Sequence, residues 1–181
     1  MREGAPYLDR AAIATGFRLL ADELGRRHQV GTVYLFGGGA MMTAFDSREA
    51  TRDLDARLSG DMQEAILAVA TQMGWPRSWL NEQGTVYLPP TDDPHPAAVF
   101  DHPHLRVMRV SDRHLLAMKA AAARRQSDLR DLQRLIERLG LRSAGEVVRV
   151  HDEVFPDAAL GPRQREVIQE AFEVPTSNEG S

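Results

Sequence analysis

The chain contains no cysteine, which excludes disulfides, thiolate metal sites and cysteine nucleophiles. It has no run of about 18 apolar residues, the length at which a transmembrane helix is expected. The first residues, 1–6, lack the apolar stretch of a secretory signal peptide. These absences predict a cytoplasmic protein that has no membrane partner.

Lysine is almost absent, because Lys119 is the one lysine among 22 basic residues. An ammonium group is a compact point charge, and a planar guanidinium does not replace it freely. Lys119 is therefore a candidate phosphate contact. The alternative interpretation is a surface lysine on a helix.

Charge is unevenly distributed along the chain, which has a formal net charge of −4. Residues 105–142 contain nine arginines and Lys119 against four acidic residues, so this segment carries +6 and the rest −10. A basic region on an acidic protein can contact a polyanion locally. Alternatively, these arginines lie on solvated helix faces and pair with nearby acidic residues.

A glycine turn followed by two aspartates is the most informative pattern in the chain. The apolar segment 33–36 leads into Gly37, Gly38 and Gly39, and thirteen residues separate Gly39 from Asp53 and Asp55. Glycines let backbone N–H groups approach phosphates. On a strand the two aspartates share one face, which suits Mg²⁺ or Mn²⁺. Taken alone, a glycine triplet usually forms a loop. An aspartate pair of this spacing, taken alone, usually lies at a solvated strand edge.

The hydrophobic pattern predicts an α/β (α+β) fold, a small mixed sheet with flanking helices, followed by a helical C-terminal half. We expect an α/β core over 1–110, a helical part over 111–173 and a disordered tail over 174–181. Alternation and turn residues predict strands at 31–36, 53–58, 84–88, 97–100 and 105–110. Asp61 is the expected N-cap of a helix over 61–73.

With these elements in order, the chain resembles the bacterial nucleotidyltransferase superfamily, whose signature is a glycine turn followed by the D-x-D pair. A second block sharpens the resemblance. Residues 111–119, ending in Lys119, and residues 124–132, which contain Asp128 and Asp131, are similar to a block of abortive-infection toxins of type IV toxin–antitoxin systems. The resemblance covers residues 30–140.

The resemblance implies transfer of a nucleoside monophosphate from a nucleoside triphosphate, with loss of pyrophosphate. Asp53 and Asp55 would hold Mg²⁺, and the N–H groups of Gly38 and Gly39 would bind phosphate. Lys119 would neutralise developing charge, with either Asp128 or Asp131 as its companion. Thr51 occupies the place of a family Ser or Thr, and the neighbouring Arg52 is a candidate contact to phosphate or acceptor.

Three functions remain open from the sequence. The first is a toxin that modifies RNA, for example a tRNA 3′ end, and is controlled by a cognate antitoxin protein. The second is a transferase that adenylylates a partner protein. The third is a non-catalytic module with the same fold, because strand 105–110 has no third carboxylate.

Overall fold

The computed structural model describes residues 7–45, 50–123 and 126–173. Arg124 and Arg125 of the basic segment, and the expected tail over 174–181, lie outside these residues. The described residues form an α/β fold, as the sequence predicts. Its helices are α1 (Arg10–Arg26), α2 (Gly37–Ala44), α3 (Gln63–Met73), α4 (Asp112–Ala122), α5 (Gln126–Leu139), α6 (Ala144–Val154) and α7 (Pro162–Glu173). Its strands are β1 (Gly31–Leu35), β2 (Leu54–Ser59), β3 (Leu80–Asn81), β4 (Ala97–His102) and β5 (Leu105–Arg109).

The chain divides into two compact units. The sheet unit comprises Met1–Tyr87 and His95–Val110. The helical unit comprises Leu88–Pro94 and Ser111–Ser181. The segment between β3 and β4 is therefore divided between the units. Its residues Leu88–Pro94 belong to the unit that contains α4–α7. No helix within the described residues is long and apolar enough to cross a membrane.

The sheet is mixed and has the strand order β3-β2-β1-β5-β4 among the described residues. β1 lies near the centre, antiparallel to β2 and parallel to β5, while β2 and β3 run parallel. β4 and β5 form an antiparallel pair with one irregularity between Ala98 and Phe100. This order places the turn after β1 beside the start of β2, since Leu35 pairs with Ala56.

The core of the sheet unit forms between the sheet and the helices α1 and α3. Asp9 caps α1 by accepting a hydrogen bond from the Ala12 N–H, a favoured N-cap arrangement. One face of α1 carries Phe17, which lies close to the buried Trp79. The Trp79 indole N–H donates to the Ile66 carbonyl of α3. Helix and sheet are thus joined by large buried side chains whose polar atoms are satisfied.

Two local expectations are wrong in the sheet unit. The segment Gln83–Tyr87 forms a 3₁₀ helix and not a strand, and the short strand β3 precedes it. The N-cap of α3 is Met62, not Asp61. Met62 is 2% exposed and makes no side-chain capping hydrogen bond.

The helical unit follows local signals in the sequence closely. Ser111 caps α4 by accepting from the His114 N–H, and Ser143 forms a capping box with Glu146 at the start of α6. Gly140 after α5 has a φ of 64°, the left-handed conformation that ends many helices. α5 buries a stripe of apolar residues at helical spacing: Leu129, Leu132, Leu135 and Ile136.

Candidate functional site

The turn between β1 and α2 forms one side of the candidate site. Gly37 begins α2 with a φ of 60°, a conformation that disfavours residues with a Cβ. The Ala40 N–H donates to the Phe36 carbonyl, so the N–H groups of Gly37, Gly38 and Gly39 precede the intrahelical ladder. Phe36, at the N-cap, has no side chain that accepts these hydrogens. The turn therefore presents several backbone donors at the positive end of a helix.

Gly37, Gly38 and Gly39 differ in what surrounds them and in why each position carries a glycine. Gly37 provides the turn, and the nearest atom to a Cβ built on it is Oδ2 of Asp55, at 3.5 Å. Gly38 is exposed, and a Cβ there would lie 3.7 Å from the Thr51 hydroxyl. Gly39 is buried, and a Cβ would lie 2.7 Å from Cδ2 of Leu54. Gly39 is thus required for packing α2 on β2, whereas Gly38 borders the open side of the turn.

Asp55 lies on the face of β2 opposite its buried residues, and Asp53 immediately precedes the strand. Leu54 and Ala56 are fully buried, and the two aspartates between and before them are half-buried. The two aspartates thus share the half-buried side of this segment, although the strand begins at Leu54 and not at residue 53 as predicted. Burial, and secondarily the charge of Asp53, raises the pKa of the Asp55 carboxyl above its usual range.

Gly84 is a site residue that the sequence did not reveal. Its backbone lies against the Asp55 carboxylate and opposes the increase in the Asp55 pKa. A Cβ on Gly84 would lie 3.0 Å from Oδ1 of Asp55 and 2.8 Å from the Phe36 ring. The 3₁₀ helix therefore approaches the carboxylate through a position that has no room for a side chain. Its one signal in the sequence is an isolated glycine after Gln83, at the position where the sequence predicts the start of a strand.

Thr51 and Arg52 lie immediately before the aspartates. The Thr51 hydroxyl donates to the Asp53 carbonyl at 2.9 Å, and the Thr51 backbone pairs with Leu8. The Arg52 guanidinium lies over the Tyr7 ring, 5.4 Å from its centroid, and donates to the Tyr7 hydroxyl. Thr51 therefore supports the loop that presents Asp53, and Arg52 is held on an exposed tyrosine.

The two carboxylates fit a divalent cation. Among the described residues, no ion pair neutralises either Asp53 or Asp55, and the raised Asp55 pKa reflects their mutual repulsion as well as burial. A bound cation relieves this repulsion. Within the described ranges, no cluster of three or more His, Asp or Glu residues is arranged to hold a metal. Mg²⁺ commonly uses one or two carboxylates and completes its shell with water and substrate phosphate.

Lys119 and Asp131 form an ion pair within the helical unit. Lys119 lies near the end of α4 and Asp131 lies on α5, with side chains 19% and 15% exposed. The Lys119 ammonium donates to Oδ2 of Asp131. Asp128 lies in the first turn of α5, where a helix dipole favours an acidic residue. Of the two aspartates that the sequence left open, Asp131 is therefore the partner of Lys119.

The basic segment is partly neutralised by acidic residues distant in sequence. Arg113 pairs with Glu153 on α6, and Arg138 on α5 pairs with Asp112 on α4. On the described part of α5, Arg130 and Arg134 form no ion pair. The arginines of this segment thus include both paired residues and residues with unneutralised charge.

The chain matches no family model, no curated protein and no solved structure.

Proposed function

We propose that this protein is a metal-dependent nucleotidyltransferase that moves a nucleoside monophosphate from a nucleoside triphosphate to an RNA. The observation that carries the proposal is the placement of the Asp55 carboxylate at the N-terminus of α2. Oδ2 of Asp55 lies 3.5 Å from where a Cβ of Gly37 would be. A site for cation and a site for phosphate are thereby adjacent, and Asp53 adds a second carboxylate on the same face.

In this proposal each residue of the sheet unit has a binding role. Asp53 and Asp55 hold Mg²⁺ or Mn²⁺, and the N–H groups of Gly37 and Gly38 bind phosphate oxygens. Gly39 lets α2 pack on β2, and its N–H is a third donor beside those of Gly37 and Gly38. The metal would polarise the α-phosphoryl group and acidify the acceptor hydroxyl. The acceptor hydroxyl releases its proton to solvent and its oxygen bonds to the α-phosphorus, while the bond from that phosphorus to the bridging oxygen breaks and pyrophosphate leaves.

Lys119 and Asp131 have complementary roles in the same proposal. The family resemblance assigns the Lys119 ammonium to negative charge on the phosphates, and within the helical unit Asp131 holds this ammonium through their ion pair. Asp128, at the start of α5, contributes to helix stability. Lysine at this position of an otherwise arginine-rich chain supports a specific requirement for a compact cation.

An RNA acceptor is supported by two arginines on α5 in the basic segment 105–142. Arg130 and Arg134 are separated by about one turn of α5, and neither forms an ion pair among the described residues. Such charges contact phosphates without sequence preference. A tRNA 3′ end is the acceptor that the family resemblance favours. The same resemblance favours a cytoplasmic toxin with a cognate antitoxin protein as its partner.

The test is transfer of label from each α-³²P nucleoside triphosphate, with Mg²⁺, to total tRNA. We expect labelled RNA from the wild type and a loss of about 100-fold or more in Asp55→Asn. Lewis-acid stabilisation contributes several kcal/mol, and each 1.4 kcal/mol is about tenfold in rate. Asp22→Asn is the matched control, because Asp22 is an exposed aspartate on α1 and we expect it to retain full activity.

Other patterns of label would change the conclusion. Label on a co-purifying protein, absent in Asp55→Asn, would replace the RNA acceptor with a protein acceptor. A folded wild type that neither transfers label nor binds any nucleoside triphosphate in the presence of Mg²⁺ would contradict the proposal and leave a non-catalytic module.

A further inference from the structure

Two large apolar side chains are exposed on the 3₁₀ helix Gln83–Tyr87. Val86 is 80% exposed and Tyr87 73% exposed, the two highest values among large apolar residues in the described part of the chain. Exposed aromatic residues of this kind are enriched where a protein contacts another flat apolar surface.

The 3₁₀ geometry connects Tyr87 to the candidate site. In a 3₁₀ helix the side chains at i and i+3 eclipse one another, and each residue rises about 2 Å. Tyr87 is three residues after Gly84, so it lies on the same side of this helix and about 6 Å further along its axis. Gly84 lies against the Asp55 carboxylate, because a Cβ built on it would lie 3.0 Å from Oδ1 of Asp55. An exposed aromatic side chain therefore follows, on the same side of this helix, the glycine that borders the Asp55 carboxylate.

We infer that Tyr87 stacks on the base of the nucleoside triphosphate, with Val86 extending the apolar surface. This inference rests on the proposed function and adds the base-binding part of the same site. A nucleoside triphosphate joins a polyanion to a flat aromatic base, and the structure offers a surface for each end. Asp53, Asp55 and the α2 N-terminus suit the phosphates, and Tyr87 suits the base. Stacking on tyrosine tolerates every base, so this contact supplies affinity more than base choice.

The experiment compares two ligands that differ in the presence of a base. Calorimetric titration with Mg²⁺ measures the Kd of each nucleoside triphosphate and of inorganic triphosphate, for the wild type and Tyr87→Ala. We expect Tyr87→Ala to weaken nucleoside triphosphate binding about 5- to 100-fold, the range that corresponds to losing one base stack. Binding of inorganic triphosphate stays unchanged.

Two control variants separate stacking from other effects. Tyr87→Phe keeps the ring and retains wild-type affinity. Val30→Ala removes another exposed apolar side chain, one that is 65% exposed. Val30 precedes β1, whereas the glycine turn follows it, so the two lie at opposite ends of a five-residue strand. We expect no change in either ligand's Kd for Val30→Ala.

The outcomes distinguish failure of this inference from failure of the proposed function. If the wild type binds both ligands and Tyr87→Ala binds nucleoside triphosphates equally well, the base does not stack on Tyr87. An equal loss for both ligands, or a higher KM for tRNA with unchanged nucleotide binding, also overturns the inference. A wild type that binds neither ligand with Mg²⁺ overturns the proposed function, and this inference with it.

Discussion

Two pairs of charged residues, one in each unit, place aspartates in opposite electrostatic situations. In the helical unit Asp131 is neutralised by the ammonium of Lys119. In the sheet unit Asp53 and Asp55 face each other as like charges, and burial together with the Asp53 charge raises the Asp55 pKa. The negative charge of Asp131 is neutralised within the protein. The repulsion between Asp53 and Asp55 is relieved when a proton or a cation binds. The difference supports the proposal that a cation binds in the sheet unit.

The largest effect on stability is expected from breaking the satisfied pair. Lys119→Met leaves the mostly buried Asp131 carboxylate unpaired, and we expect it to lower the free energy of unfolding by about 2 kcal/mol. This lies between the values for exposed and fully buried pairs. Urea unfolding followed by circular dichroism measures it. Adding Asp131→Asn to this variant should recover part of the loss.

Matched aspartate variants test whether the pairing is specific. Asp128→Asn should lower the free energy of unfolding by less than about 1 kcal/mol, the usual size of a helix-dipole contribution. Asp55→Asn should not lower it, because that substitution removes a repulsion. Equal losses in Asp131→Asn and Asp55→Asn would contradict the contrast between the two pairs.

A second prediction separates the adjacent glycines of the turn. Gly39→Ala places a Cβ 2.7 Å from Cδ2 of the buried Leu54, and overpacking of this kind lowers the free energy of unfolding by about 1–3 kcal/mol. Gly38→Ala has ordinary contacts, with its nearest atom at 3.7 Å. It should be neutral or stabilise by about 0.5 kcal/mol through reduced chain entropy. Thermal unfolding of both variants measures the difference, and a destabilised Gly38→Ala would show that the packing differs from that described.

A third prediction concerns stabilisation by a divalent cation. A ligand at ten times its Kd stabilises the folded state by about 1.4 kcal/mol when it binds that state alone. Mg²⁺ should therefore raise the Tm of the wild type and of Lys119→Met. It should leave the Tm of Asp55→Asn unchanged. A cation effect of equal size in Asp55→Asn would place the bound ion elsewhere.

The smallest expected effect is a pH dependence specific to the sheet unit. The folded-state pKa of Asp55 is raised above the ordinary value of 3.8, so the folded protein binds this proton more tightly than the unfolded chain. Its contribution to stability is therefore greatest below 3.8 and is lost as the pH rises through the raised pKa. Unfolding free energies measured from pH 3.5 to 7 should show this decrease in the wild type relative to Asp55→Asn. Parallel curves for the two proteins would exclude the shift.

Cation affinity should change with pH in the opposite sense. Since a cation competes with the proton for the Asp55 carboxylate, Mn²⁺ binding strengthens as the pH rises through the raised pKa. Titration calorimetry in buffers of different ionisation enthalpy measures the released proton. No proton release in this pH range would indicate that Asp55 is not a ligand.

The helices and the central strands were predictable because their signals are local. The apolar alternation of β1 and β2, the glycines after β1, and the caps Ser111 and Ser143 each act within a few residues. Errors occurred where distant contacts decide the structure. β3 has two residues, too few for any periodicity, and it exists because it pairs with β2. The neighbouring segment Gln83–Tyr87 bears β-forming residues but is a 3₁₀ helix whose glycine approaches Asp55.

The sequence by itself determined the fold class, the turn and the common face of Asp53 and Asp55, because a strand period of two and a glycine's conformational freedom are properties of adjacent residues. The tertiary structure decided which distant groups meet these residues. It brought the Gly84 amide to Asp55 by pairing β3 with β2. It chose Asp131 over Asp128 as the partner of Lys119 through the packing of α5 on α4. Two aspartates three residues apart on one helix differ little in local sequence, so the choice depends on where the neighbouring helix places the ammonium.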